Sequence, residues 1–188
     1  MSTRGFVAIG KPNQWDGRYN HSDSYPTWLG HEVFKEARRW LRNDSHLHGF
    51  AQKLLSLHRW EQFLGQNLDG DENDHLVSEN ADWLFTEWGY VIDPAERTLT
   101  VIVGCIQTPI TYTIQDQRPG APPREWQEEH YTSAVLTTVS LDGEEPVWEA
   151  VEQRGYKLRE KLRERYVRNP EHPDLAVLRA LPAVEVWN

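Results

Sequence analysis

In the stretch Y-N-H-S-D-S-Y-P, residues 19–26, His21 and Asp23 stand two residues apart, with Tyr19 and Tyr25 just outside them. Alternate side chains of an extended chain share a face. An extended segment here would point Tyr19, His21, Asp23 and Tyr25 one way, and Asn20, Ser22 and Ser24 the other. An imidazole titrates near neutral pH, so His21 is a candidate general acid or base. Asp23 would orient it. Arg4, at the head of the preceding apolar run, could grip a carboxylate or phosphate with two parallel hydrogen bonds. Tyr25 completes the candidate catalytic set, and Tyr19 and Asn20 are the candidates for binding substrate. The structural alternative is an ion-pair network in which Asp23 neutralises Arg4 and caps the turn before a helix.

Other chemistry-bearing residues give weaker patterns. His46 and His48 are two apart at a helix start, with His21, Asp23 and His31 as possible companions. Residues two apart on a helix do not share a face, and zinc needs three or four convergent ligands, so no metal or other cofactor is expected. D-G-D-E-N-D-H places Asp69, Asp71 and Asn73 at the first three spacings of a calcium loop. The sixth position is Asp74 instead of Gly and the twelfth is Asn80 instead of Glu, so a solvated loop is the expectation. The lone cysteine, Cys105, sits in the apolar run T-V-I-V-G-C-I. There it reads as a buried, inert thiol.

Positioning these residues requires a core. The 188 residues include nine Trp, seven Tyr and five Phe, enough large apolar bodies to fold despite a polar composition. A single domain over residues 1–188 is expected. The formal net charge is −9, which disfavours a nucleic-acid partner, because phosphate neutralisation needs Lys and Arg. No apolar run approaches a membrane span, the first ten residues lack a signal-peptide core, and one cysteine cannot form an intrachain disulfide. A cytoplasmic location is expected, with a small molecule or peptide as ligand and no membrane partner.

Residues 5–10 (G-F-V-A-I-G) read as a buried strand. Residues 11–17 carry Pro12, Asn13 and Asp16-Gly17 as turn residues, and residues 18–24 read as a second, antiparallel strand. Helical spacing of Val33, Phe34, Ala37, Trp40 and Leu41 gives a helix over residues 31–42. A second helix is expected over residues 46–64, stopped by Gly65. W-G-Y-V-I-D and T-L-T-V-I-V-G form a hairpin around residues 94–97. Further strands are read at residues 110–114 and 131–141, flanking a Pro/Gly loop at 117–124. Trp148, Val151, Gly155, Leu158, Leu162 and Tyr166 make one apolar seam of a long helix. A short helix at 174–181 and a last strand at 184–187 close the chain. The expected fold class is α+β, an antiparallel β-sheet with helices packed against it in the order β-β-α-α-β-β-β-β-α-α.

The T-R-G-F start and the Y-N-H-S-D-S-Y-P-T-W-L-G element resemble a family of uncharacterised bacterial and phage proteins with a T-R-G start and a Y-N-H-x-D-S-Y-P-x-x-L-G element. W-G-Y-V-I-D is similar to a later segment of that family. The likeness covers about a third of the chain and implies a role for Arg4, His21, Asp23 and Tyr25 without naming a reaction. A weaker likeness in layout is to the N-terminal nucleophile hydrolases. With Met1 removed, Ser2 would begin the chain on the first strand of an antiparallel sheet, its α-amine able to activate its own hydroxyl. The resulting expectation is a small enzyme, an amide or ester hydrolase, working beside the N-terminal hairpin. The alternative is a binding or accessory protein of phage or mobile-element type, with residues 19–26 as an interaction loop.

Overall fold

The computed structural model describes residues 3–44, 47–65, 74–114 and 124–168. The first strand, β1 (Gly5–Lys11), has Phe6, Val7 and Ala8 fully buried. A strand covered on both faces carries a continuous apolar run instead of an alternation. It turns at Pro12-Asn13 into β2 (Gln14–Asn20), which pairs antiparallel with Gly5 opposite Asn20 and Phe6 opposite Tyr19. The turn is therefore tighter than the sequence reading. Asp16-Gly17 lies inside β2, and the strand ends at Asn20, before His21.

After a π-helical turn at Pro26–Gly30 come three helices, α1 (His31–Asp44), α2 (His48–Ser56) and α3 (Trp60–Phe63). The single helix expected over residues 46–64 is broken at residues 57–59, where Leu57 and Arg59 are extended. The cause is tertiary. Arg18, on β2 and only 7% exposed, donates hydrogen bonds to the carbonyls of Leu55 and Leu57. It thereby takes up the acceptors that a helix end leaves unsatisfied. Gly65 follows α3 at φ +86°, a left-handed stop.

The short β3 (His75–Val77), β4 (Trp88–Asp93), β5 (Thr98–Ile114) and β6 (Arg124–Ser140) complete a six-stranded sheet in the order β3-β2-β1-β4-β5-β6. The α+β class holds, with one difference. β1 and β4 are parallel neighbours, Phe6 opposite Gly89, so the sheet is mixed and not purely antiparallel. Parallel neighbours need a long crossover, and the three helices lie within it. The hairpin at 94–97 forms as expected. β5 runs unbroken through the residues read as two strands, because a register shift between Val103 and Ile106 absorbs Gly104 and Cys105. The loop read at 117–124 lies outside the described residues but for Arg124, where β6 begins. The helix at 174–181 and the strand at 184–187 lie outside the described residues.

One sheet face carries Val7, Trp88, Tyr90, Ile92 and Val101 against Val33, Phe34, Phe50, Trp60 and the long helix α4 (Trp148–Arg168). The other carries Phe6, Ala8, Trp15, Val91 and Ile102, covered in part by Leu76, Ala81 and Trp83. Phe6 and Trp15 stack there with ring centroids 4.1 Å apart. On the α4 seam, Trp148, Val151 and Leu162 are buried and Leu158 is only half-buried. No helix among the described residues is long and apolar enough to cross a membrane.

Candidate functional site

The β1–β2 register dictates where the candidate residues fall. Arg4 precedes β1 and His21 follows β2, so the strand pairing brings them to one end of the hairpin. There Arg4, Tyr19 and His21 line a hollow of about 430 Å³ with Leu76 of β3 and Asp82, Phe85 and Thr86 of the segment before β4. That segment is tied to the same spot. The carbonyl of Arg4 accepts the N–H groups of Glu87 and Trp88 at 2.9 and 3.4 Å, and the Arg4 guanidinium lies 5.7 Å from the centre of the Phe85 ring.

The imidazole of His21 is held by a carboxylate. Its Nε2 is 2.7 Å from Asp74 Oδ2, and Arg59 Nε is 3.3 Å from the same oxygen. Asp74 and Arg59 are largely buried, their side chains 15% and 12% exposed, whereas that of His21 is 43% exposed. The chain reaches Asp74 because Tyr19 N–H donates to the Asp74 carbonyl at 2.9 Å, extending the β2 edge toward β3. Glu61 of α3 accepts the His21 backbone N–H at 3.1 Å. The Tyr19 ring meets His21 edge-on at 4.8 Å, and its hydroxyl donates to the Phe85 carbonyl at 3.3 Å. Burial raises the Tyr19 hydroxyl above its ordinary range, and the neighbouring Arg4, by charge and by hydrogen bond, opposes this.

Asp23 goes elsewhere. The strand has ended at Asn20, and Asp23 sits at φ +50°, so strand alternation no longer governs which way it points. It lines a separate hollow of about 280 Å³ with Asn20, Ser22, Trp28, Glu32 and Glu61. The structure gives it no ion pair among the described residues, so it neither backs His21 nor neutralises Arg4. The carboxylate expected at Asp23 is supplied by Asp74 from 53 residues away.

Asn20 is 4% exposed, and its amide donates to the Ser22 carbonyl and, at 2.8 Å, to Ser24 Oγ. Ser24 is itself buried. Its N–H donates to the Thr3 carbonyl at 3.1 Å, and its carbonyl accepts the Tyr90 hydroxyl at 2.8 Å. These contacts make Asn20 a brace of the loop. The same packing explains the glycine of T-R-G-F. A Cβ on Gly5 would stand 2.5 Å from the Trp88 carbonyl and 2.7 Å from Ser24 Cβ, closer than folded proteins tolerate. Tyr25 opens the π-helical turn, its carbonyl accepting the N–H groups of Trp28 and Gly30. It lies near enough to α4 to raise the Tyr156 hydroxyl, after burial and Glu152, which together push it to about 12. Ser2 and His46, with Asp69, Asp71 and Asn73, lie outside the described residues. Among the described residues no three His, Cys, Asp or Glu side chains are grouped to hold an ion.

The sequence reading missed Asp74, Arg59, Asp82 and Phe85. Asp74 is part of D-E-N-D-H, read as loop, and Arg59 sits where one continuous helix was expected. No family model, curated protein or solved structure matches the chain.

Proposed function

We propose that the protein is a small hydrolase that cleaves an amide or ester of a carboxylate-bearing molecule in the hollow between Arg4 and Phe85. The observation that carries this reading is the 2.7 Å contact of His21 with Asp74, on the wall shared with Arg4 and Tyr19. In the proposed step the imidazole takes a proton from an attacking water as that water bonds to the acyl carbon. Asp74 stabilises the imidazolium that forms, and Arg59 keeps Asp74 in place. The proton passes to the leaving amine or alcohol as the acyl bond breaks. Arg4 holds the substrate carboxylate by charge-assisted hydrogen bonds, and Phe85 packs against its apolar part. A cytoplasmic setting fits the single, half-buried Cys105.

A panel of small esters and amides bearing a free carboxylate, followed by product chromatography, tests the reading. Turnover should fall by about 100-fold or more in His21→Ala, the usual contribution of a positioned acid–base group. Absence of turnover across the panel, with no change in the nuclear magnetic resonance signals of Tyr19 and His21, would overturn it. A second reading, a non-catalytic binding or accessory protein, is favoured by Leu84 and Phe85, which are 42% and 50% exposed beside the hollow. Ligand binding without turnover, lost in Phe85→Ala and kept in His21→Ala, would select that reading.

A further inference from the structure

Beside α1, three arginines converge in a chain of net charge −9. Arg38 and Arg42, one helical turn apart on α1, face Arg97 from the β4–β5 turn and Asp142 from the turn after β6. Together with Leu41 and Leu141 they line a hollow of about 260 Å³. We propose that this hollow is an oxyanion site for a phosphate monoester, separate from the His21 hollow and independent of the reaction proposed there.

Three observations carry the inference. The first is balance: among the described residues that line the hollow, three guanidiniums face one carboxylate. Asp142 is taken up by Arg97, whose Nε and Nη2 lie 2.7 and 2.6 Å from its two oxygens. The lining is left with positive charge in excess, available to a ligand. The structure gives Arg42 no ion pair among the described residues. The Arg38 guanidinium carbon lies over Phe34, 5.3 Å from the ring centre, an arrangement that holds the guanidinium without neutralising it.

The second observation is the backbone beneath Arg97. Its φ is +54°, a conformation that glycine or asparagine adopts more readily than a long side chain. The turn is fixed around it. Asp93 Oδ1 accepts the N–H groups of Ala95 and Glu96 at 2.9 and 3.2 Å, and the Arg97 carbonyl accepts the Leu141 N–H at 2.8 Å. A non-glycine residue held in such a backbone conformation points to a role for its side chain. The third observation is fit. Planar guanidiniums bind phosphate oxygens two at a time, and Leu41 and Leu141, both buried, give the site an apolar floor on which the ester group can rest.

The test uses the whole chain, with inorganic phosphate and phenyl phosphate as probes, titrated at constant ionic strength against chloride and followed by calorimetry. Phenyl phosphate should saturate a single site and bind more tightly than inorganic phosphate. Arg38→Gln with Arg42→Gln should weaken it by about tenfold or more, the loss expected for hydrogen bonds to a charged group. Arg42→Gln alone, at an exposed position that leaves the Phe34 contact intact, should weaken it by a smaller factor. Arg39→Gln removes the same charge from the neighbouring position, where Arg39 is 65% exposed and pairs with Glu36; it should bind as the parent does. Asp142→Asn should tighten binding by removing the one carboxylate of the described lining, which repels the phosphate. Failure of phenyl phosphate to saturate the parent protein would overturn the proposal. So would equal losses in Arg39→Gln and Arg42→Gln, which would mean a diffuse charge effect.

Discussion

His21 Nε2 and Asp74 Oδ2 stand 2.7 Å apart although 53 residues separate them in sequence. His21 ends the N-terminal hairpin, and Asp74 enters the sheet edge at β3. The helices α1 to α3 fill the interval, so the pair exists only when the whole crossover is folded. The two partners differ in exposure, and this separates their expected effects. His21→Ala should change stability by less than about 1 kcal/mol, the range for half-exposed ion pairs. Asp74→Asn should cost about 1–3 kcal/mol, because the largely buried Arg59 loses its 3.3 Å contact. Chemical denaturation of both variants and the double variant checks this. Equal, large losses in both single variants would make the pair a structural strut.

The second prediction concerns Asn20. Strand alternation would place it on the face opposite Tyr19 and His21, where Asn20→Ala would leave the site untouched. The structure buries it between Ser22 and Ser24. Removing a buried donor that braces a loop should cost about 1–3 kcal/mol. A melting curve checks this, and a loss under about 0.5 kcal/mol would contradict the bracing role.

What the sequence disclosed and concealed follows from range. β1, the β4–β5 hairpin, α1 and α4 are legible because their patterns are local: a buried run, a turn between two apolar runs, and helical spacing. The end of α2 is not. Nothing in S-L-H-R forbids a helix, and Arg18 reaches over from β2 to take the carbonyls of Leu55 and Leu57. β3 is three residues long, too short for any alternation to register. The parallel pairing of β1 with β4 depends on how the chain returns after the helices, which composition does not encode. The site divides the same way. Arg4, Tyr19 and His21 meet through a hairpin readable from its turn. Asp74 arrives through β3, and Asp23 leaves because the strand, and its alternation with it, ends at Asn20.

A third prediction rests on Cys105. Burial pushes its thiol up to about 11, with Arg159 opposing and Glu87 and Asp82 adding to the rise. The thiolate is the reactive form. Two units above the ordinary value leaves about 100-fold less thiolate at pH 8, so iodoacetamide should label the native chain about 100-fold more slowly than the urea-unfolded chain. For stability, a raised folded-state value means the folded chain holds this proton more tightly. The contribution is fully present below the unfolded value near 9 and is lost as pH rises from there through about 11. Equal labelling rates in native and unfolded protein would refute the raised thiol.

The last prediction sets helix propensity against packing at Gly155. In the middle of α4, glycine lowers helix stability relative to alanine by about 1 kcal/mol, so Gly155→Ala should stabilise an isolated helix. In the fold, a Cβ at this position would fall on Trp88 Cη2, well inside van der Waals contact, and lie 3.3 Å from Leu136 Cδ2. Trp88 is fully buried on the central sheet, its ring meets Tyr156 edge-on, and Arg159 lies over it at 5.7 Å. The indole therefore has little room to retreat. Overpacking of this kind costs about 1–3 kcal/mol, enough to exceed the propensity gain, so Gly155→Ala should lower the melting temperature while raising the helicity of a peptide spanning α4. Leu162→Ala, at 3% exposure, calibrates the same seam and should lose about 2–5 kcal/mol, with the half-buried Leu158→Ala losing less. Circular dichroism of peptide and protein together gives both signs. A Gly155→Ala protein more stable than its parent would show that α4 can lift from Trp88, and that the close approach is not what holds the helix on the sheet.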